Sequence, residues 1–270
     1  MAIVRRAFRT RRVGHAGTLD PFATGLLLML VGAATRLAQY LTALPKRYTG
    51  VIRLGVRTDT DDPTGVVGIV SDEWRDIPDD RVARAMAELT GARQQVPPAF
   101  SAKHVAGERA HRRARRGEIV QIPPVPVEIH RFALVDRQGS EVQFEADVSS
   151  GTYVRSLARE LGERLRCGAH LATLRRLTIG QHTVDDAVQL AAGPVALLAA
   201  LRPSREAVRH LSAVTVDASE WTRLRQGQSI PRSGGSNAGP VALIAEDSGE
   251  LLAVGDVVRD ELRPRVVFGT

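Results

Sequence analysis

The stretch RRVGHAGTLDPFATGLLLML, residues 11–30, joins a basic start, a glycine-containing loop around one carboxylate and a short apolar run. Glycine permits backbone angles that other residues avoid, whereas Pro21 fixes its own φ and holds Asp20 towards the extended region. The loop is therefore predicted to be rigid and to present Asp20 close in sequence to the imidazole of His15. The apolar run, residues 26–31, is too short to span a membrane and indicates a buried strand or helix.

Two interpretations of Asp20 follow from this pattern. A carboxylate on a stiff loop beside a buried element is typical of a catalytic group, because functional side chains concentrate on loops that a rigid scaffold positions. An Asp-Pro turn packed on the core explains the same residues equally well. The local pattern alone leaves both interpretations open.

The segment GHAGTLDPFATGLL, residues 14–27, resembles the catalytic signature GHxGTLDPxAxGxL of the TruB family of tRNA pseudouridine synthases. The match is long and nearly gapless, which makes it far more specific than a lone glycine-rich pattern. By this resemblance Asp20 is the catalytic aspartate, and His15 helps to displace the target base from its loop. Family members usually carry a further segment before this signature, with a strand and a Lys-Pro pair, and its absence here is expected to expose a sheet edge or leave a gap in the core.

Composition narrows the class of partner. The 270 residues include 37 lysines and arginines against 30 aspartates and glutamates, which gives a net charge of +7. This excess favours a polyanionic partner, nucleic acid first, although arginines that merely solvate the surface are the alternative. The single cysteine, Cys167, excludes an intramolecular disulfide and a zinc site built on several cysteines. Without a signal-like start or an apolar run of about 18 residues, we expect a cytoplasmic protein with no membrane span.

Hydrophobic periodicity outlines the elements of the chain. Apolar spacing predicts helices over residues 1–12, 33–44, 79–91 and 185–201, the last interrupted at Gly193-Pro194. Alternation predicts a strand over residues 51–56 and a hairpin of residues 125–137 and 141–149. A further helix follows this hairpin, with Leu157, Leu161 and Leu165 at four-residue spacing. Short apolar runs between glycine- and aspartate-containing turns indicate a small β module over residues 214–270.

Three further segments resemble family motifs. By resemblance to the KRY segment, Tyr48 stacks on the target base; an ordinary strand aromatic is the commoner reading. By resemblance to GTYIR, Arg155 pairs with Asp20 and Tyr153 lines the uracil pocket. Such a pairing is physically sensible, because a poorly solvated carboxylate needs a partner and a guanidinium keeps it ionised. By resemblance to GAHxxxLRRxxxG, Leu174 packs near the base, which is compatible with an ordinary place in the core.

An acid-rich segment and a basic segment complete the candidate sites. TDTDDPTG, residues 58–65, has carboxylates as close as those of a calcium loop but with the wrong spacing, so a turn is predicted and no metal site. Residues 95–124 hold the densest basic cluster, which resembles the family's RNA-gripping insertion; solvated arginines are the alternative. The predicted phosphate contacts in this cluster are Lys103, Arg109, Arg112, Arg113, Arg115 and Arg116.

The resemblance covers residues 11 to about 183 and implies an α+β fold: a mixed, largely antiparallel sheet flanked by helices, with a small β-rich PUA-like domain at the C-terminal end. It implies a catalytic domain over residues 1–208 and the PUA-like domain over residues 212–270. The implied activity is isomerisation of uridine to pseudouridine at position 55 in the T loop of tRNA, by base flipping and without a cofactor or an obligatory protein partner. A non-catalytic or impaired T-loop-binding protein, and a hydrolase using Asp20 and His15 as acid and base, are the alternatives.

Overall fold

The computed structural model describes residues 1–101, 104, 105, 108, 109, 113, 116, 118, 122–232 and 239–268, with the backbone alone at 104, 105 and 109. The chain divides into two compact units. The first, which we call the terminal unit, comprises Met1–Thr18, Leu27–Thr42 and Asp186–Thr270. The second, the central unit, comprises Leu19–Leu26 and Ala43–Asp185.

Regular structure alternates between short helices and strands along the chain. The α-helices in the described ranges are α1 (Ala2–Ala7), α2 (Ala38–Thr42), α3 (Asp79–Ala87), α4 (Val154–Leu165), α5 (Gly193–Ala199) and α6 (Ala218–Arg225). The strands in those ranges are β1 (Val13–Ala16), β2 (Thr24–Gly25), β3 (Leu28–Val31), β4 (Lys46–Leu54), β5 (Val56–Thr58), β6 (Val67–Val70), β7 (Gly91–Gln95), β8 (His104–Val105), β9 (Glu108–Arg109), β10 (Val125–Gln138), β11 (Glu141–Val148), β12 (Ala169–Ile179), β13 (His182–Thr183), β14 (Ser212–Val216), β15 (Ile230–Pro231), β16 (Pro240–Ala245), β17 (Leu251–Val258) and β18 (Glu261–Val267).

A seven-stranded sheet organises the central unit. Its strands run in the order β13-β12-β4-β11-β10-β7, and β2 adds to β12 as the parallel member of an otherwise antiparallel sheet. Residues of β4 and β11 alternate between buried and more exposed positions, so one face of the sheet is packed. This arrangement confirms the predicted α+β class with a mixed, largely antiparallel sheet.

Helices α3 and α4 supply the apolar side chains that pack against the inner face of the sheet. The four-residue spacing predicted in the second of them is realised, since Leu157, Leu161 and Leu165 are all buried in the core of the central unit. Helix α3 contributes Val82 and Met86 to the same core. The core thereby fixes where α4 begins, which matters because the first residues of α4 belong to the candidate site.

Several element boundaries differ from those predicted. The strand expected over residues 51–56 begins at Lys46 instead, because β4 is paired along its length by β11 on one side and β12 on the other. The helix expected over residues 1–12 ends at Ala7. In the region 185–201 the Gly-Pro pair begins α5 rather than interrupting a helix, since a proline in the first turn has no N–H to satisfy.

The terminal unit contains the predicted small β module. Its five-stranded sheet has the order β14-β16-β17-β18-β15, over a core that includes Leu243, Ala253 and Leu262. Helix α6 was not predicted; it begins with a capping box in which Asp217 and Glu220 bond each other's backbone N–H groups. The antiparallel pair β1 and β3 belongs to the same unit. Among the described residues no helix is long and apolar enough to cross a membrane.

We predict that Gly162→Ala destabilises the protein although alanine favours helices. A Cβ at Gly162, on α4, would collide with the backbone of Gly168 and Ala169. Replacing a helix-interior glycine by alanine gains about 1 kcal/mol in helix propensity. We expect the collision to outweigh this gain and to lower the free energy of unfolding by about 2 kcal/mol, measured by urea denaturation.

The exposed position Ala83 on α3 provides the control. Ala83→Gly reports helix propensity without a packing change, and we expect a loss of about 1 kcal/mol there. A Gly162→Ala variant at least as stable as the wild type would contradict the close approach of α4 to the start of β12.

Candidate active site

The loop that carries Asp20 is fastened to the central sheet immediately after the carboxylate. The carbonyl of Asp20 accepts a hydrogen bond from the N–H of Ala23 at 2.9 Å, which closes a turn. Leu26 and Arg176 then exchange two bonds: the Leu26 N–H donates to the Arg176 carbonyl at 2.9 Å, and Arg176 Nε donates to the Leu26 carbonyl at 2.8 Å. Gly25 has φ +96° and approaches the Arg176 carbonyl so closely that a Cβ would collide with it. The predicted rigid loop therefore has a specific cause, which is its short parallel pairing with β12.

Arg155 binds Asp20 through both carboxylate oxygens. Arg155 Nε donates to Asp20 Oδ2 and Nη2 donates to Oδ1, each at 3.0 Å. The arginine is 5% exposed at the second residue of α4, whereas the Asp20 side chain keeps 31% of its surface exposed. The structure thus brings together two residues 135 positions apart in a planar, bidentate ion pair.

The remaining donors of the Arg155 guanidinium are also satisfied. Nη1 donates to the Thr60 carbonyl at 3.0 Å and to Asp62 Oδ2 at 3.3 Å. Nη2 donates its second bond to the Phe100 carbonyl at 3.2 Å. Since a guanidinium has five N–H donors, all five now have an acceptor, and the group is fixed from every direction in its plane. Asp20 therefore faces a cation that has little freedom to turn away.

The acid-rich segment 58–65 provides the second carboxylate of this network. Asp62 is buried, and its Oδ1 accepts bonds from Thr60 Oγ1 at 2.7 Å and from the N–H and hydroxyl of Thr64 at 2.9 and 2.6 Å. Its neighbour Asp61 pairs with Arg159. Sequence reasoning missed Asp62, although the similarity of TDTDD to the family's TDTxD segment was an available signal. Among the described residues no group of three or more His, Cys, Asp or Glu side chains could hold a metal ion.

Two tyrosines lie near the Asp20 carboxylate. Burial raises the pKa of Tyr48, near the start of β4, and the negative charge of Asp20 adds to that rise, while the charge and hydrogen bond of Arg176 oppose it. Burial likewise raises the pKa of Tyr153, and Asp20 again adds to the rise. Both phenols therefore stay protonated close to an anionic carboxylate. Leu174, on β12, is buried in the same core.

Gln95 holds Tyr153 in place at the start of α4. Gln95 is fully buried, its Oε1 accepts from the Tyr153 N–H at 2.8 Å, and its Nε2 donates to the Tyr153 carbonyl at 3.2 Å. The side-chain amide of Gln95 thereby bonds both the N–H and the carbonyl of Tyr153, as a neighbouring strand would do in a sheet. Because Tyr153 is the N-cap residue of α4, the same contact fixes the helix end that presents Arg155.

His15 and the basic cluster are placed differently from the residues above. His15 lies on β1 of the terminal unit, paired with Met29, and its Nδ1 is buried without a hydrogen-bond partner in the described part of the chain.

In the basic cluster, Arg113 pairs with Glu118 at 2.7 Å, and Arg116 pairs with Glu108 and Glu118, both also at 2.7 Å. Two predicted phosphate ligands are therefore neutralised within the chain, which sequence reasoning missed. Three of the other predicted ligands, Lys103, Arg112 and Arg115, lie outside the described residues. The fourth, Arg109, is described by its backbone alone.

Lys46 is a buried cation that sequence reasoning also missed. It starts β4 two residues before Tyr48, so both side chains project from the same face of the strand. Its Nζ donates to the Leu44 carbonyl at 2.6 Å. Burial, with the nearby charge of Arg176, lowers the pKa of Lys46 to about 8. A buried ammonium opposes folding, so its place beside the tyrosine marks this end of the sheet as a candidate for function.

Comparison with known proteins identifies the family. Residues 5–154 match the family model described as "TruB family pseudouridylate synthase (N terminal domain)", and residues 155–208 match that of the "tRNA pseudouridylate synthase B C-terminal domain". A protein named tRNA pseudouridine synthase B from Synechococcus sp. (strain CC9311) is 40% identical over 98% of this chain and 91% of its own length. One of the same name from Thermobifida fusca (strain YX) is 44% identical over 99% and 92%. The chain belongs to the TruB family of pseudouridylate synthases, which confirms the resemblance drawn from the sequence.

Solved structures agree on the fold. A chain from an H/ACA ribonucleoprotein bound to a substrate RNA containing 2'-deoxyuridine superposes with a TM-score of 0.76 over 100% of this chain and 80% of its own length, at 21% identity. A chain from an archaeal box H/ACA Nop10-Cbf5 complex gives a TM-score of 0.70 over 99% and 80%, at 22% identity. At these identities the comparison establishes the fold.

We predict that Lys46 makes stability depend on alkaline pH. Its pKa falls from 10.5 to about 8 on folding, so between these values the unfolded chain binds more protons than the native one. The free energy of unfolding of the wild type therefore rises with pH across this window, by up to about 3 kcal/mol, and the full penalty is present below it.

Lys46→Met lacks the titrating group, and we expect its urea midpoint to lack this rise. The difference between the two proteins, measured from about pH 7 to about pH 10, cancels the titration of all other groups. Parallel pH profiles would show that Lys46 keeps an ordinary pKa in the fold.

Proposed function

We propose that this chain isomerises uridine to pseudouridine at position 55 in the T loop of tRNA, with Asp20 as the catalytic residue. Family membership supplies the isomerisation of uridine, and relatives named tRNA pseudouridine synthase B, 40–46% identical, support tRNA as the substrate. The observation that carries the role of Asp20 is its bidentate pairing with an arginine whose five donors are all satisfied.

The reaction suits a single ionised carboxylate. It breaks the C–N glycosidic bond, rotates the uracil and forms a C–C bond to the same sugar, so no group is added and no electrons are exchanged with a cofactor. An ionised aspartate can serve such a step as nucleophile or as base. Arg155 orients Asp20 through both carboxylate oxygens, while the exposed part of the carboxylate remains open to a nucleotide.

The proposed substrate contacts follow from base flipping. A uridine inside a folded loop must be extruded before its glycosidic bond can be reached. We assign Tyr48 to stacking on the extruded base, and Tyr153 and Leu174 to lining its pocket. The charge of Asp20 contributes to the raised pKa of both tyrosines, which supports placing them near the reacting carboxylate. His15 is assigned to the space that the base vacates.

The wider RNA contacts are proposed from charge. The basic insertion, residues 95–124, binds the phosphates of the T stem-loop, and Arg113 and Arg116 exchange their glutamate partners for phosphate when RNA arrives. The catalytic domain is proposed to span residues 1–208, and the PUA-like domain, residues 212–270, to add further RNA contacts. The enzyme is proposed to act in the cytoplasm without an obligatory protein partner.

The direct test uses the purified chain and an unmodified tRNA transcript. We expect pseudouridine at position 55 and nowhere else in the transcript, and no product with a transcript carrying cytidine there. Tight T-loop binding without product would instead favour the non-catalytic interpretation.

Asp20→Asn should abolish turnover while leaving tRNA binding nearly intact. The amide is isosteric with the carboxylate but is neither a nucleophile nor a base, so we expect the single-turnover rate to fall by about a thousandfold or more. Asp59→Asn is the matched control, because Asp59 lies in the same site region and its carboxylate accepts only from the Val66 N–H among the bonds described. Substantial turnover by Asp20→Asn would reject the assignment.

Arg155→Lys should lower turnover although it retains the positive charge. A lysine ammonium is a point charge with three donors and cannot bridge Asp20 and Asp62 as the planar fork does. We expect the single-turnover rate to fall by about a hundredfold, with the tRNA dissociation constant changed less than about threefold. Arg164 lies on the same helix as Arg155 and forms an exposed ion pair with Glu88 at the end of α3, so Arg164→Lys should leave both quantities unchanged. Equal losses in rate and binding would contradict an orienting role for Arg155.

A further inference from the structure

A second buried ion pair lies one helical turn beyond Arg155. Arg159 Nη1 contacts Asp61 Oδ2 at 2.5 Å, and the two side chains are only 16% and 11% exposed. Arg155 and Arg159 are separated by four residues and therefore share one face of α4. Their carboxylate partners Asp61 and Asp62 are adjacent in sequence. Two consecutive aspartates thus bind two arginines stacked along one helix.

The backbone of Asp61 is itself held at a corner. Asp61 has φ +59°, a left-handed conformation that residues other than glycine adopt uncommonly. Its carbonyl accepts from the Leu171 N–H on β12 at 3.0 Å. The corner is therefore fixed by its carbonyl to the sheet and by its side chain to α4, and the next residue, Asp62, can reach Arg155 only if this corner keeps its conformation.

Arg159 also holds the segment that leads to Phe100. Its Nη2 donates to the Val96 carbonyl at 2.8 Å, and Ser156 Oγ donates to the same carbonyl at 2.8 Å. Further along this segment, the Phe100 carbonyl accepts from Arg155. One side chain on α4 therefore fastens both backbone segments whose oxygens complete the coordination of Arg155.

We propose that Arg159 and Asp61 are positioning residues for the reaction, acting through Asp62 and Phe100 on the orientation of Arg155 and hence of Asp20. This inference rests on the proposed function of Asp20. Three of the five acceptors around the Arg155 guanidinium lie on the two segments that Arg159 anchors. When that anchor is removed, these acceptors shift, the guanidinium follows them, and the bidentate geometry at Asp20 is lost.

The same helix offers a closely matched ion pair for comparison. Glu160, the residue after Arg159, binds Arg93 on β7 at 2.5 Å, with side chains 15% and 22% exposed. This pair equals the first in length and nearly in burial, and it also joins α4 to a neighbouring segment. Its residues make no described contact with the acceptors of Arg155, so its loss reports the stability cost alone.

The experiment compares Arg159→Met with Arg93→Met in single-turnover assays on tRNA transcript. We expect Arg159→Met to lower the rate by about 10- to 100-fold while the tRNA dissociation constant changes less than about twofold. Arg93→Met should lower the melting temperature by a similar amount and change the rate less than about twofold. Asp61→Asn should also lower the rate, but by no more than Arg159→Met, because the bond from Arg159 to the Val96 carbonyl remains. The double variant should lose no more than Arg159→Met alone, because Asp61 acts only through Arg159.

Arg159→Lys tests whether a conservative change rescues the rate. It also serves as a second variant if Arg159→Met folds poorly. Lysine keeps the charge next to Asp61, so we expect it to recover most of the lost rate. A wild-type rate in Arg159→Met, an equal loss in Arg93→Met, or a loss confined to tRNA binding would each overturn the proposal. Absence of pseudouridine with the wild-type chain would reject the proposed function itself, which keeps the two failures distinguishable.

Discussion

The central unit depends on one constraint, which is that the guanidinium of Arg155 is buried and must satisfy five donors. A buried charge without partners is costly, so the fold must place an acceptor at each donor of the guanidinium. The acceptors are two carboxylates and two backbone carbonyls from three separate segments. The side chain of Asp20 is more exposed than those of Arg155 and Asp62, so the demand for pairing fixes in place a carboxylate that remains open to solvent.

The sheet and the helix cooperate to meet this constraint. Strand β12 holds the Asp20 loop through a two-residue parallel pairing that tolerates only glycine at position 25. Helix α4 presents its arginines at a turn's spacing and is fixed at its start by Gln95. Neither element positions the Asp20 carboxylate by itself. Because both elements pack on a common core, segments far apart in the chain hold one carboxylate in a fixed position.

Buried polar groups concentrate at this part of the central unit and oppose its stability. The lowered pKa of Lys46 and the raised pKa values of Tyr48 and Tyr153 all have burial as their largest cause. Groups whose burial disfavours their charged forms are typical of sites selected for function rather than for stability. The exposed ion pairs of the basic cluster form a contrast, because solvent screens them and they can exchange partners easily.

The sequence by itself determined the α+β class, the hairpin of β10 and β11, the leucine face of α4 and the family, because periodicity and a long motif are local signals. The local pattern left Asp20 open between a catalytic group and a packed turn, and the pairing of Asp20 with Arg155 was implied by the resemblance alone. The tertiary structure alone decided that Asp62, Thr60 and Phe100 complete the arginine's coordination, and that Glu108 and Glu118 neutralise Arg113 and Arg116. It also extended β4 back to Lys46 through pairing on both edges. Contacts between residues far apart in the chain produce no periodic pattern in the sequence, so only the folded structure reveals them.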